Sequence, residues 1–442
     1  MRPGRTLAAV ATLAVAAGCS SAGSEPPNHR VIGFDFVVGD VTSWTELVTL
    51  DPETLRAHGR TLGVDDALGS ETDAAATSPV GQLSPDRKTL AVGGSSGRIL
   101  LLDPARLRLT GSIRLGSGSD VVVDVDSWSR PDRALAVFGR FSTFDTRGDS
   151  LAVVDPTKRA VVRRTRLHGF VEQAEQQVDG SVVLLVGRRG SGFRIVSVAP
   201  TGQLHSYALP RFAPLRGVRV GTRYFSGRRW PVVTTDRGGR AFVVAERAPI
   251  VEVDLRTGIT RTHALPLQRR SLGLPQPPGW VPGTRAPQLD YGRSATWLGH
   301  GLLGIGGGVS RPVRIGDQLG ERYRPYAYQI VDTRTWRTVR TLRLTRCEAR
   351  FGLYLCSENV GGFPPDGKGS RGSTLLAYDR HWRLLYRKPS TTLWHDEVAG
   401  RLLAGAADGS SMSVLDPRSG RVVRRLGAMR VWPPDILDWR AG

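Results

Sequence analysis

Cysteine and lysine are scarce in this chain, and long apolar runs are confined to its first residues. Three cysteines in 442 residues are too few for a disulfide-dense scaffold in which cross-links replace a core. Lysine is limited to Lys88, Lys158, Lys368 and Lys388, so arginine supplies almost all of the 61 basic residues, a bias that fits a GC-rich genome. Past the N-terminus apolar runs rarely exceed about five or six residues, far short of the roughly 20 that a membrane-spanning helix needs. A multispanning membrane protein is thereby excluded. Missing too, beyond residue 30, is any convincing amphipathic helix of about twelve residues or more, and with it the doubly wound and α/β-barrel folds. Because 40% of the residues are hydrophobic, a disordered polymer is excluded as well. What remains is a folded body built from strands.

The N-terminus reads as an address. Arg2 and Arg5 flank an apolar stretch from Thr6 to Ala17, followed by Gly18-Cys19 and a Ser/Gly/Pro-rich segment. This pattern is a secretory signal, too short to span. The small residues Ala16, Ala17 and Gly18 ahead of Cys19 resemble the lipobox of bacterial lipoproteins, in which cleavage leaves the cysteine as a lipid-bearing first residue. The resemblance implies a signal peptide over 1–18, a lipidated Cys19 and an extracytoplasmic body anchored to the cell membrane. Two or more acyl chains give stable anchoring where one is marginal. Residues 19–30 read as a flexible tether and 31–442 as a single domain. Outside the cytoplasm Cys347 and Cys356 are expected to form a structural disulfide and no metal site, bridging the two arms of a hairpin if their Cα atoms come within about 7 Å.

Self-similarity is the strongest signal in the body. An alternating apolar strand ends in Asp, passes a short polar turn and resumes as a second strand. The copies are Leu47–Pro52, Ile99–Pro104, Leu151–Pro156, Ile195–Pro200 (Ala199 replacing Asp), Ile250–Asp254, Tyr328–Asp332, Leu375–Asp379 and Met412–Pro417. Their markers fall at 51, 103, 155, 199, 254, 332, 379 and 416, and most intervals are of propeller-blade length. The aspartates are expected to be turn residues that accept hydrogen bonds from turn amides. Asp332-Thr333-Arg334-Thr335-Trp336 and Ser84-Pro85-Asp86-Arg87-Lys88-Thr89 resemble the YVTN-type, PQQ-like and WD-repeat propellers of bacteria. The expected fold is therefore an all-β propeller of eight blades, with seven as the alternative given the 78-residue interval from 254 to 332. Val431 to Leu437 is expected to return and close the ring against the N-terminal blade.

Net charge is +21 and is unevenly placed. Residues 31–80 hold nine acids against Arg56 and Arg60, net −7, so the remainder is strongly basic and suited to anionic partners. Two segments interleave arginine with aromatics, a combination that suits phosphate, carboxylate or sugar ligands. The first, Arg211 to Trp230, offers Arg216, Arg219, Arg223, Arg228, Arg229 and Trp230; the second, Gly306 to Tyr328, offers Arg311, Arg314, Arg322, Tyr323 and Arg324. The alternative is a solvated blade face with aromatics packed between blades. Given the address, an envelope protein or anionic glycopolymer is the expected partner, nucleic acid is not, and the chain is expected to be a monomer.

Catalytic patterns are weak. Gly93-Gly94-Ser95-Ser96-Gly97 lacks the helix that a nucleophile elbow requires, and Gly304–Gly308 lacks the helix of a phosphate loop. Asp124 with Asp126, and His395-Asp396-Glu397, fall where inner strands begin, but neighbouring strand residues point to opposite faces. No metal and no cofactor is expected, and the tryptophans and cysteines do not form the pattern of a quinone enzyme. The expectation is a non-catalytic binding or scaffold protein. The alternatives are a lactonase-like hydrolase with a central-channel site, and an envelope assembly factor analogous to the eight-bladed lipoprotein of the outer-membrane barrel-insertion machine in other bacteria.

Overall fold

The computed structural model describes residues 29–38, 43–64, 82–93, 97–116, 121–140, 149–188, 192–212, 218–220, 223–225, 231–246, 248–267, 281–282, 289–315, 318–358, 373–398, 400–406, 411–427 and 436–441. Every regular element among them is a β-strand, and the strands build eight blades. Blade 1 runs outwards from Ile436–Arg440 through His29–Val38 and Ser43–Leu50 to Ala57–Val64. Blade 2 is Gln82–Leu83, Leu90–Gly93, Arg98–Asp103 and Arg108–Arg114. Blade 3 is Val121–Arg130, Arg133–Arg140, Ser150–Asp155 and Ala160–Arg166. Blade 4 is Phe170–Gln176, Val182–Arg188, Gly192–Val198 and Leu204–Ala208. Blade 5 is Val232–Thr235, Arg240–Val244, Ile250–Asp254 and Thr260–His263. Blade 6 is Leu289–Gly299, Leu302–Ile315, Tyr328–Asp332 and Arg337–Leu342. Blade 7 begins with Arg346–Arg350, Leu353–Glu358 and Ser373–Tyr378. The long strand Leu384–Val398 ends blade 7 and, in its second half, opens blade 8, which continues with Arg401–Ala406, Met412–Leu415 and Val422–Gly427. First strands of neighbouring blades touch from blade 2 through blade 7 and between blades 8 and 1.

All eight sequence markers lie at the turn between the third and fourth strands. Asp51 accepts from the amides of Glu53 and Thr54 (3.0 and 2.6 Å), Asp155 from those of Thr157 and Lys158 (both 3.0 Å), and Asp254 from those of Arg256 and Thr257 (2.9 and 2.8 Å). Most of these turns then pass through the left-handed region, at Leu55, Leu107, Arg159 and Trp336 or at Gly258 and Gly420. A one-residue register shift follows, for example between Leu101 and Leu102 and between Val153 and Val154. An αL residue joined to a bulge is a common way to close a short hairpin loop.

Second and third strands are covered on both faces by neighbouring blades, which is why they read as continuous apolar runs. Val182 to Val186 and Ile250, Val251 and Val253 are almost wholly buried. Within the 78-residue interval, Leu302–Ile315 of blade 6 outruns its blade and pairs with Gln318–Pro325. Ring closure uses Ile436–Arg440, paired with His29–Gly33. The expected return thus occurs at Ile436 and Leu437 and runs on to Arg440, while residues 431–435 of the expected segment lie outside the described ones. His29 and Arg30 are thus part of the folded body. Trp439 Nε1 donates to the Arg87 carbonyl (2.6 Å), while Arg87 Nε donates to the Arg440 carbonyl (2.6 Å). Cys347 and Cys356 stand directly opposite across the first two strands of blade 7, are fully buried and are joined by a disulfide, with Cα atoms 4.0 Å apart. No helix among the described residues is long and apolar enough to cross a membrane.

Candidate anion-binding surface

Charge is sorted radially. None of the eight outermost strands contains an Asp or Glu. The outermost segment of blade 7 ends near Lys388, before the acids of blade 8 begin. Outer strands expose Arg108, Arg114, Arg163, Arg164, Arg166, Arg261, Arg337, Arg340, Arg387, Arg424 and Arg425. The innermost strands carry Asp124, Asp126, Glu172, Glu175, Asp290, Glu348, Asp396, Glu397 and Asp438, against Arg130, Arg293, Arg346, Arg350, Arg440 and His395. The cause is local. Burial of both faces expels charge from the middle strands, and an outermost strand has one edge unpaired, where basic side chains discourage edge-to-edge association.

Several wall arginines also clasp neighbouring blades. Arg164 Nη2 donates to the Arg114 carbonyl (3.3 Å), Arg340 Nη1 to the Trp382 carbonyl (2.6 Å), and Arg424 Nη1 pairs with Glu53 at 3.0 Å. The Arg424–Glu53 pair is solvent-exposed and contributes on the order of 0–1 kcal/mol, and all three arginines remain exposed.

The residues singled out from sequence fall on two hairpins and on undescribed chain. Arg219 and Arg223 lie on Val218–Val220 and Arg223–Phe225, a hairpin between blades 4 and 5 whose register sets Val220 opposite Arg223. Arg216, Arg228, Arg229 and Trp230 lie outside the described residues, as does Cys19. Arg311 and Arg314 lie on Leu302–Ile315, and Arg322, Tyr323 and Arg324 on Gln318–Pro325. The register sets Arg311 opposite Arg322, Ser310 opposite Tyr323 and Val309 opposite Arg324. The backbone thus gathers the second group on one hairpin. The wall arginines were not singled out from sequence. Their signal is nonetheless present there as an acid-free, Arg-bearing segment after most Asp turns, such as Val161-Val162-Arg163-Arg164 and Val422-Val423-Arg424-Arg425.

At the axis, Glu175 is half-buried on the first strand of blade 4 and accepts from Gln173 Nε2 at 3.1 Å. Burial pushes its carboxyl above the usual range, outweighing the Gln173 bond and the attraction of Arg237. Arg293 and Glu246 form a buried pair at 2.5 Å, with the guanidinium over the Tyr326 ring at 4.7 Å. Among the described residues no three or more His, Cys, Asp or Glu side chains are grouped to hold a metal ion. The glycine run Gly304–Gly308 lies within a strand of blade 6, not in a phosphate loop.

Fold and charge together define an eight-bladed β-propeller with an acid-bearing axis and a basic outer wall. No protein-family model matches the chain, and no curated protein matches it by sequence. Among solved structures it is similar to a dihydro-heme d1 dehydrogenase, NirN, in complex with DHE, with 12% identity, a TM-score of 0.55, and coverage of 95% of this chain and 76% of that one. BamB from Moraxella catarrhalis gives 12% identity and a TM-score of 0.43 over 86% of this chain and 94% of that one. The computationally designed Ika8 protein gives 10% and 0.44 over 88% and 97%. The likeness to the first of these shows the fold alone.

Proposed function

We propose that this chain is a non-catalytic binding platform of the cell envelope, tethered outside the cytoplasm through a lipidated Cys19, whose partner is an anionic polymer or protein met at the outer wall and its basic hairpins. The observation that carries the reading is the acid-free outer wall with its exposed arginines. Guanidinium groups are weakly hydrated, present five donors and bind phosphate or carboxylate bidentately. A rigid ring holds them at fixed spacing, so little ordering cost falls on the protein when a partner binds.

Photo-crosslinking in the intact envelope tests it, with probes in blade-3 strand 160–166, in 211–230 and in 306–328. Adducts with a glycopolymer or an acidic protein support the platform; one discrete protein of an assembly machine would make the chain an assembly factor. A second reading is favoured by the carboxylates of the inner strands and by the raised Glu175 carboxyl, a group poised as a general acid. It makes the axis a hydrolase site. Turnover of lactones or phosphoesters by the purified protein, abolished in Glu175→Gln with unchanged folding, together with no adduct from the wall, would replace the platform by that hydrolase.

A further inference from the structure

We propose that the outer wall of blades 2 and 3 docks the body on an anionic lipid surface. This inference rests on the membrane tether of the preceding section and assigns one sector of the basic wall to the bilayer itself. Strands Arg108–Arg114 and Ala160–Arg166 touch across the blade boundary. Arg164 is bonded to the Arg114 carbonyl, and the Arg159 side chain lies against Gly111, where a Cβ would collide with it. The two strands therefore form one continuous surface, with Arg108, Arg114, Arg163 and Arg164 exposed and no acid on either strand. Arg108 also pairs with Asp103 at 3.4 Å, at the head of its turn, and its side chain remains 55% exposed.

Two observations select lipid over a soluble polyanion. Leu109 and Val162, at 50% and 51% exposure, sit among these arginines. A hydrated polyanion would use the guanidinium groups alone, whereas a bilayer surface takes guanidinium at the headgroup phosphates and aliphatic side chains at the acyl boundary. The second is placement. Blade 2 adjoins blade 1, where the described chain begins at His29, and the ten residues from Cys19 to Asn28 reach at most about 35 Å when extended. By contrast the outer strand of blade 4, Leu204–Ala208, carries no arginine, and that of blade 5 carries Arg261 alone.

The full chain is incorporated into nanodiscs of phosphatidylglycerol with phosphatidylcholine, or of phosphatidylcholine alone, and amide hydrogen exchange is followed. The expected result is slowing on the order of tenfold over 108–114 and 160–166 on the anionic discs. High salt should remove it, because exposed charges are screened within about 3 Å at 1 M, and so should Arg163→Glu or Leu109→Ser. Unchanged exchange over the buried segment 182–187 reports that those variants fold. Equal slowing on both discs, equal slowing over 337–342, or slowing by soluble polyphosphate but not by anionic discs would each overturn the docking surface, the last in favour of a polymer ligand. A chain that enters neither disc counts against the Cys19 anchor. Phosphatidylglycerol vesicles added to that chain then read the wall separately, with slowing expected and its absence refuting the inference.

Discussion

Asp155 shows what the repeated aspartate does at the level of one side chain. It is almost fully buried and accepts from two backbone amides, from the Thr157 hydroxyl at 2.6 Å and from Arg133 Nη1 at 3.3 Å. Burial raises its carboxyl, but the hydrogen bonds from Thr157 and Lys158 together with the Lys158 charge outweigh this and hold it below the ordinary range. Asp155→Ala leaves those donors unanswered and should cost roughly 1–3 kcal/mol in a denaturant titration, while Asp155→Asn, which keeps an acceptor, should cost less. At Asp51 the Thr54 amide is the largest cause of a lowered carboxyl; Asp254 and Asp416 are lowered in the same way by turn amides and hydroxyls, and Asp332 and Asp379 by turn amides together with the guanidinium groups of Arg334 and Arg383. A carboxyl depressed on folding gives stability that is complete above its unfolded pKa and lost as pH falls through the folded one. The denaturation midpoint should therefore hold steady through neutral pH and decline below about pH 4; a midpoint unchanged at pH 2 would contradict this role. These residues were legible because a turn is local: marker, donors and αL position lie within a few residues of one another.

At the level of elements, the Gly-rich strand of blade 6 was open to misreading. Gly304–Gly308 has the composition of a phosphate loop, yet it pairs with Leu289–Gly299 and Tyr328–Asp332 as an ordinary strand. Its glycines make room for Tyr328, whose ring and hydroxyl occupy the space a Cβ at Gly304 would need. Tyr328 is fully buried, donates to the Cys347 carbonyl at 3.5 Å and has its hydroxyl pushed up to about 12 by burial. Gly304→Ala should overpack this site and cost roughly 1–3 kcal/mol. A thermal or denaturant midpoint equal to that of the unaltered chain would show that the strand can shift to admit the methyl group. The reason lay some twenty residues away in sequence, in a partner strand, so composition alone could not supply it. The same limit applies to the second basic segment: its arginines were visible, but their register on one hairpin follows from the pairing of Leu302–Ile315 with Gln318–Pro325.

For the whole molecule the decisive feature is closure. The two chain ends share the first blade: Ile436–Arg440 supplies its innermost strand and the N-terminal segment the other three, so the ring is locked by strand pairing between the ends. Trp439 is buried and donates to the Arg87 carbonyl of blade 2, Arg87 donates in return to the Arg440 carbonyl, His29 Nε2 meets Asp438 Oδ1 at 2.6 Å, and Arg401 of blade 8 donates to the Pro52 carbonyl of blade 1 at 2.7 Å. Trp439→Ala should cost about 3–5 kcal/mol and lower the midpoint of the whole ring as one cooperative transition. Loss confined to blade 1, read by hydrogen exchange, would mean that the blades unfold separately.

Local chemistry fixed the repeat and the strand identities, because each blade is written by short-range signals, an apolar alternation, an aspartate turn and a fourth strand; the 78-residue interval left seven or eight blades open, and the tertiary structure decided for eight. Tertiary structure set where those strands lie relative to the axis. Only stacking of blades distinguishes a first strand from a fourth, and that distinction turns a chain of net positive charge into a ring with acid-bearing inner strands and a basic outer wall. It also joins Arg108–Arg114 to Ala160–Arg166 and the C-terminal strand to the N-terminal blade, contacts between segments that short-range physics does not bring together.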